Sequence, residues 1–261
     1  MERSPDTLRV RQGGPLGVLR GIRVVTAREI GAYFDSLIAY VFAAVFLLLA
    51  HYVFMNGFFL SSVLEMGEYF QALPFLLALF IPAITMRSWA EERSHGTFEI
   101  VMTLPLRSFE VVLGKYAAAL VFYLAVLLGS LPIVIMLLCL GSPDLGLIAT
   151  SYLGAALLGA LFLALGLFVS GLTREQIVAL VLGVFACALL VLSGHEKVVE
   201  VLDGLAPTWQ VGTWLYESVS VLPHYESFCR GVVSLADVVY FALTSAFFLV
   251  MNEVTLKLAR H

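Results

Sequence analysis

The sequence predicts an all-α polytopic membrane protein with six transmembrane helices, and three observations carry that prediction. Hydrophobic residues make up 61% of the 261-residue chain and charged residues only 13%, whereas soluble domains carry about a quarter charged residues. Six apolar runs each approach the roughly 20 residues that a helix needs to cross a bilayer. Lys and Arg are distributed very unevenly among the segments that join those runs. Alternation of apolar and polar residues, the signature of a membrane barrel, is absent from the sequence.

The runs fall at about 37–60, 70–86, 113–140, 147–172, 176–193 and 235–251. The second and fifth are short. The third contains Pro132, which a spanning helix tolerates as a kink when neighbours re-satisfy the freed backbone. With the N-terminus inside, the inner segments hold 13 of the 15 Lys and Arg residues, and the outer segments hold only Lys197 and Arg230. That asymmetry obeys the positive-inside rule and predicts a multi-pass protein of the bacterial inner membrane with both termini cytoplasmic. Acidic residues lean the other way, with Glu65, Glu68, Asp144, Glu196, Glu200, Asp203, Glu217, Glu226 and Asp237 all outside. Mean hydropathy is +0.96, so one membrane domain, residues 37–261, accounts for nearly all of the chain.

Residues 1–36 are different in character. A polar tail over 1–14 gives way to Leu16, Leu19, Ile22 and Val25 at helical spacing, with Arg20, Arg23 and Arg28 interleaved. This is the pattern of an amphipathic helix lying in the inner interface, although plain basic flanking of the first span gives a similar pattern. The first 36 residues also lack the short apolar core of a cleavable signal peptide. Cys139, Cys187 and Cys229 form no disulfide framework. The fourth run is rich in small residues, including Gly154, Ala155, Ala156, Gly159 and Ala160. Such spacings allow helices to approach closely in lipid, either within one bundle or between subunits. Between the fifth and sixth runs, residues 194–234 combine Val198, Val199, Leu202 and Leu205 with Trp209, Trp214, Tyr216 and Tyr225. One or two short helices dipping into the outer leaflet fit this composition, as does an aromatic-anchored loop.

The most polar stretch, residues 87–115, is inserted between the second and third runs. Trp89, Ala90, Glu91, Glu92 and Arg93 extend the second span, and Gly96 is suited to end that helix. Thr97 can cap a new short helix whose first turn contains Glu99. Phe98, Val101 and Met102 share one apolar face by their i, i+3, i+4 spacing, and Pro105, after Leu104, ends it. Ser108 then caps the helix that enters the third span, with Glu110 in its first turn. Spacing alone leaves two uses for the short helix: docking into a groove of a soluble partner, or resting on lipid headgroups.

Several activities lack their residues. No G-x-x-x-x-G-K-[ST] phosphate loop occurs, so the chain has no ATP site of that kind. The histidines show no H-E-x-x-H spacing, and Ser170-Gly171 lacks the first glycine of G-x-S-x-G; Ser170 reads as a packing residue. A secondary transporter usually needs ionisable groups near the membrane midplane. The span interiors hold essentially none beyond His51 towards the outer end of the first, Asp237 lies at the outer mouth of the sixth, and no inverted repeat is visible. Nothing points to a nucleic-acid partner.

Residues 81–115, IPAITMRSWAEERSHGTFEIVMTLPLRSFEVVLGK, resemble the matching stretch of ABC-2 type transporter permeases, and among these the gliding-motility-associated permease subunits. GLFVSGLTREQIVAL (166–180) and LPHYESFCRGVVSLADVVYF (222–241) extend the resemblance, which covers most of the chain from about Arg28. It implies six spans, a cytoplasmic coupling helix between the second and third, and short external helices before the sixth. It also implies an ATP-driven transporter, an exporter by direction, in which this chain is the permease. Its partners would be two ABC ATPase subunits that bind ATP-Mg, a second identical or related permease, the lipid bilayer and an auxiliary outer-face protein. No cofactor would bind this chain itself. Glu91, Glu92, Arg93, Gly96, Thr97, Glu99, Leu104 and Pro105 match the family's coupling motif, with Phe98, Val101 and Met102 as its apolar face. Their implied roles are partner contact and helix geometry. His95 departs from the basic residue expected there, which weakens a charge contact at that position. A non-transporting module that transmits conformational signals from an ATPase is the rival reading.

Overall fold

The computed structural model describes residues 15–61, 65–94, 96, 107–205 and 211–258. Twelve helices and no strand occur among them. A helix of 20 residues, α1 (Pro15–Phe34), precedes the first span, α2 (Leu37–Ser61). The second span is α3 (Gly67–Thr85), continued past a joint at Met86 by α4 (Arg87–Ser94). The third is divided into α5 (Ser108–Leu128) and α6 (Leu131–Leu140); the fourth is α7 (Leu145–Leu172) and the fifth α8 (Gln176–Leu192). Three short helices follow, α9 (Glu196–Leu205), α10 (Val211–Ser218) and α11 (Leu222–Cys229), before the last span, α12 (Leu235–Leu258).

Among the described residues, five helices or helix pairs are long and apolar enough to cross a membrane: Leu37–Leu60, Gly67–Ser94, Ser108–Leu140, Leu145–Leu172 and Leu235–Leu258. The expected fifth, α8, has 17 residues and bends by 83° into α9. At 1.5 Å per residue α8 alone is about 26 Å long, slightly less than a bilayer core of roughly 30 Å. Counted with α9 it makes the sixth candidate.

The fourth span is the hub of the bundle. It packs against α3, α5, α8 and α12, and also against α4 and α11. Its small residues explain how. A Cβ at Gly154 would lie 2.6 Å from Cβ of Phe228 in α11, one at Gly159 would enter the ring of Tyr123 in α5, and one at Gly166 would meet Thr85 of α3. These three glycines therefore serve packing within one bundle. The helix starts on Asp144, whose Oδ1 accepts from Gly146 N at 2.9 Å and Leu147 N at 3.1 Å.

The break in the third span falls at Gly129–Ser130 and not at the proline itself. Pro132 occupies the first turn of α6, where its missing N–H costs nothing. Ser130 Oγ donates to Leu127 O at 2.7 Å and lies 2.6 Å from Tyr152 Oη, so a buried hydroxyl occupies the break. The cap of α5 also differs from expectation. Arg107 holds the cap position with extended backbone, and the buried Glu110 reaches back to accept from Arg107 N at 3.3 Å. Ser108 is already helical.

The region after α8 contains three helices where one or two were expected. A Pro in the first turn starts α11, and Asp203 of α9 accepts from Gly212 N at 2.7 Å and from Thr213 Oγ1 at 2.7 Å, capping α10 from outside it. Tyr225 of α11 is buried, which pushes its phenol well above the ordinary value, and it donates to Phe70 O at 2.8 Å. His224 meets Asp237 of α12 at 2.7 Å and stacks on Tyr240 at 3.9 Å. Gly231, with φ of 81°, makes the left-handed turn between α11 and α12. All three cysteines are free.

Candidate coupling site

The insert begins where α3 ends, and the first residues of α4 face inward. Trp89 and Ala90 are fully buried. The first N–H groups of a helix have no partner within it, and here a residue from another span supplies one. Ser170 Oγ accepts from Trp89 N at 3.2 Å and Ala90 N at 3.3 Å, and donates to Met86 O at 3.1 Å. A single hydroxyl of α7 therefore joins α3 to α4 and holds both against the hub. Sequence alone assigned Ser170 only a packing role, because a hydroxyl in a run of apolar and small residues gives no sign of its partner.

Ser170→Ala should cost about 1–3 kcal/mol, since it leaves buried backbone groups without their partner. Ser170→Thr, which keeps the hydroxyl, should recover part of that loss. Thermal unfolding of the purified variants measures both; an unchanged midpoint for the alanine variant would remove the cap from the account.

Below this joint lies a buried ion cluster. Lys115, one turn into the apolar part of α5, is 3% exposed. An ammonium has three donors, and all three are used: Glu29 Oε1 of α1 at 3.2 Å, Glu92 Oε1 of α4 at 2.9 Å and Ser88 O at 2.9 Å. The ammonium also lies 4.9 Å from the ring centre of Trp89, within cation–π range. Arg28 approaches Glu92 at 3.9 Å. Three separate elements thus meet on one cation.

Helix α1 is fixed to this cluster by close backbone contact. A Cβ at Gly114 would come 2.6 Å from Val25 Cβ, so α1 lies directly on the backbone of α5. Thr26 Oγ1 faces Ile22 O at 2.9 Å and Gly114 O at 3.3 Å. Tyr33 stacks on Phe122 at 5.3 Å and its hydroxyl lies 3.4 Å from Ser88 Oγ. Burial pushes the Tyr33 phenol up to about 12, so it stays protonated and able to donate.

Of the residues the sequence singled out, Glu91 takes a bidentate contact from Arg87, at 2.7 Å from Nε and 2.8 Å from Nη2. Arg87 Nη1 also donates to Ser36 Oγ at 3.1 Å, tying α4 to the start of α2. Glu92 turns toward Lys115, with its side chain 13% exposed. Arg93 lies half-buried in the last turn of α4, where a cation suits the helix dipole. Gly96 adopts φ of 69° and donates to Arg93 O at 3.3 Å, so the chain turns out of α4 through a left-handed residue. Thr97, Phe98, Glu99, Val101, Met102, Leu104 and Pro105 lie outside the described residues. Lys115 and Glu29 were not singled out. The available signal was a lysine behind a glycine inside an apolar run, since an ionisable residue there is functional or structural by default.

Among the described residues no group of His, Cys, Asp and Glu side chains is placed to hold a metal. Helices of spanning length, a central small-residue helix and a charged cluster at one end define a multi-pass membrane protein. A family model for ABC-2 family transporter proteins matches residues 60–209, more than half of the chain. The chain belongs to the ABC-2 transporter family and is the membrane-spanning permease component of an ABC transporter. Members of this family work with an ABC ATPase. No curated protein matches the chain.

Proposed function

We infer that this permease belongs to an ATP-driven exporter and that the insert at 87–115 receives the motion of a separate ATPase subunit. The observation that carries this reading is the convergence at the root of the insert. Ser170 connects it to the fourth span, and Lys115 connects it to the third span and to α1. A displacement of α4 is therefore felt by all of these elements together.

In this reading Thr97–Pro105 forms the helix that docks on the ATPase, with Phe98, Val101 and Met102 as its buried face and Glu91, Glu92 and Arg93 beside it. Two ATPase subunits, each holding ATP-Mg, act beneath two permease copies. The 13-to-2 distribution of Lys and Arg supports an inner-membrane protein with both termini in the cytoplasm. The short helices α9, α10 and α11 then cap the outer face, where an auxiliary protein has a surface to meet. The resemblance of residues 81–115 supports a member of the gliding-motility-associated branch.

Phe98→Asp combined with Val101→Asp should abolish co-purification of the ATPase and ATP-dependent activity, while leaving membrane insertion intact. Retention of both would refute coupling through the insert. Substrate-stimulated hydrolysis in liposomes separates an exporter from a non-transporting module; hydrolysis indifferent to every candidate substrate supports the module.

A further inference from the structure

A cavity of about 380 Å³ opens between α1, the start of α2 and the joint of α3 with α4. That volume lies at the lower end of small-molecule sites, which span roughly 300–1,000 Å³. Its two walls differ in chemistry. Ile38, Ala39, Phe42, Ala83 and Ile84 form an apolar wall, and the opposite wall carries three cations and three carboxylates, from α1, α4 and α5. The formal charges cancel.

The cations are not equivalent. Lys115 has used its three donors, and Arg87 directs Nε and both Nη atoms to Glu91 and Ser36. Arg28 differs: its closest charged partner is 3.9 Å away, beyond hydrogen-bond range, and its side chain is 62% exposed. The cavity edge therefore holds one guanidinium fork with donors to spare, the group that best matches a phosphate. Glu29 and Glu91 line the same wall. They oppose a second negative charge, and their oxygens accept from an N–H-bearing cation. A quaternary ammonium donates no hydrogen bond and is usually held by an aromatic cage, whereas the residues lining this cavity include two aromatic rings, Tyr33 and Phe42, too few to enclose one. The apolar wall continues onto the outer surface of α2, where Ile38 and Val41 are exposed, so a hydrocarbon chain has a path into the bilayer.

We propose that this cavity binds the headgroup of a zwitterionic glycerophospholipid bearing a primary amine. Its phosphate sits on Arg28, its ammonium faces Glu29 and Glu91, and an acyl chain runs along Ile38 and Phe42. The site depends on the basic end of the bundle lying at a membrane surface and is independent of any ATPase contact. Its failure would leave the coupling proposal untouched.

The test is native mass spectrometry of the full-length protein with phosphatidylethanolamine, phosphatidylcholine and phosphatidylglycerol of identical chains, and with glycerophosphoethanolamine alone. One phosphatidylethanolamine should be retained per chain, preferred about tenfold or more over the other two lipids, the scale of one charge-assisted hydrogen bond. Arg28→Ala removes the phosphate contact, and Ala32→Trp obstructs the cavity from an exposed position on α1. Each should reduce retention about tenfold, with the lipid-free thermal midpoint unchanged. Equal retention of the three lipids, wild-type retention by both variants, or equal binding of the chain-free headgroup would each overturn the proposal.

Discussion

Lys115→Met is expected to lower the stability of this permease by about 3–5 kcal/mol, the usual consequence of removing one partner from a buried ion cluster. Methionine matches the length of the lysine stem, so packing is largely kept and the loss is electrostatic. Two carboxylates, Glu29 and Glu92, would remain in a site where their side chains are 15% and 13% exposed, without the cation that offsets their desolvation. At roughly 2–4 °C per kcal/mol for a chain of this size, the thermal midpoint should fall by about 6–20 °C. The cluster predicts its own rescue. Adding Glu29→Gln and Glu92→Gln to Lys115→Met removes the orphaned charges and should restore much of the stability, because replacing a whole buried cluster is often neutral. Scanning calorimetry in one detergent measures all of these variants; equal midpoints for wild type and Lys115→Met would refute the cluster.

The second large effect is steric. At Gly159 an added methyl would occupy the ring of Tyr123, which is fully buried and anchored by its hydroxyl to Ala155 O at 2.7 Å. Gly159→Ala should therefore cost about 1–3 kcal/mol through overpacking, although Gly→Ala in an open helical position normally gains about 0.5–1 kcal/mol. Gly31 in α1 provides the contrast, since a Cβ there meets nothing within 4 Å. Gly31→Ala should stabilise slightly. Combining Gly159→Ala with Tyr123→Leu should return part of the loss, and the non-additive remainder measures the contact. Equal effects at the two glycines would show that span four is not packed as described.

The spans were legible because a bilayer dictates the length of an apolar run, and the expected run at 147–172 became Leu145–Leu172. Boundaries moved where polar residues continue a helix past its apolar stretch. Asn252, Glu253 and Lys257 carry the last span on to Leu258, seven residues beyond its expected end. Residue periodicity located α1 nearly to the residue, but it did not show that Glu29 of α1 meets Lys115, because that pair is 86 positions apart in sequence. Ser170 was obscured for the same reason: its partners Trp89 and Ala90 belong to a different helix. The small residues of span four announced close approach without naming the neighbour, and Tyr123, Phe228 and Thr85 are supplied by the tertiary fold.

The cap that Ser170 places on α4 has a mechanical consequence. From Gly67 to Ser94 the chain runs as a candidate span of 28 residues, about 42 Å long at 1.5 Å per residue. The hydroxyl grips this rod near Met86, so that point acts as a fulcrum. The eight residues of α4 then form an arm of about 12 Å. A swing of about 10° at that arm moves its tip by about 2 Å, comparable to the helix shifts by which packed interfaces switch. A force applied at Ser94 would load the Ser170 contact, the point where α3, α4 and α7 meet.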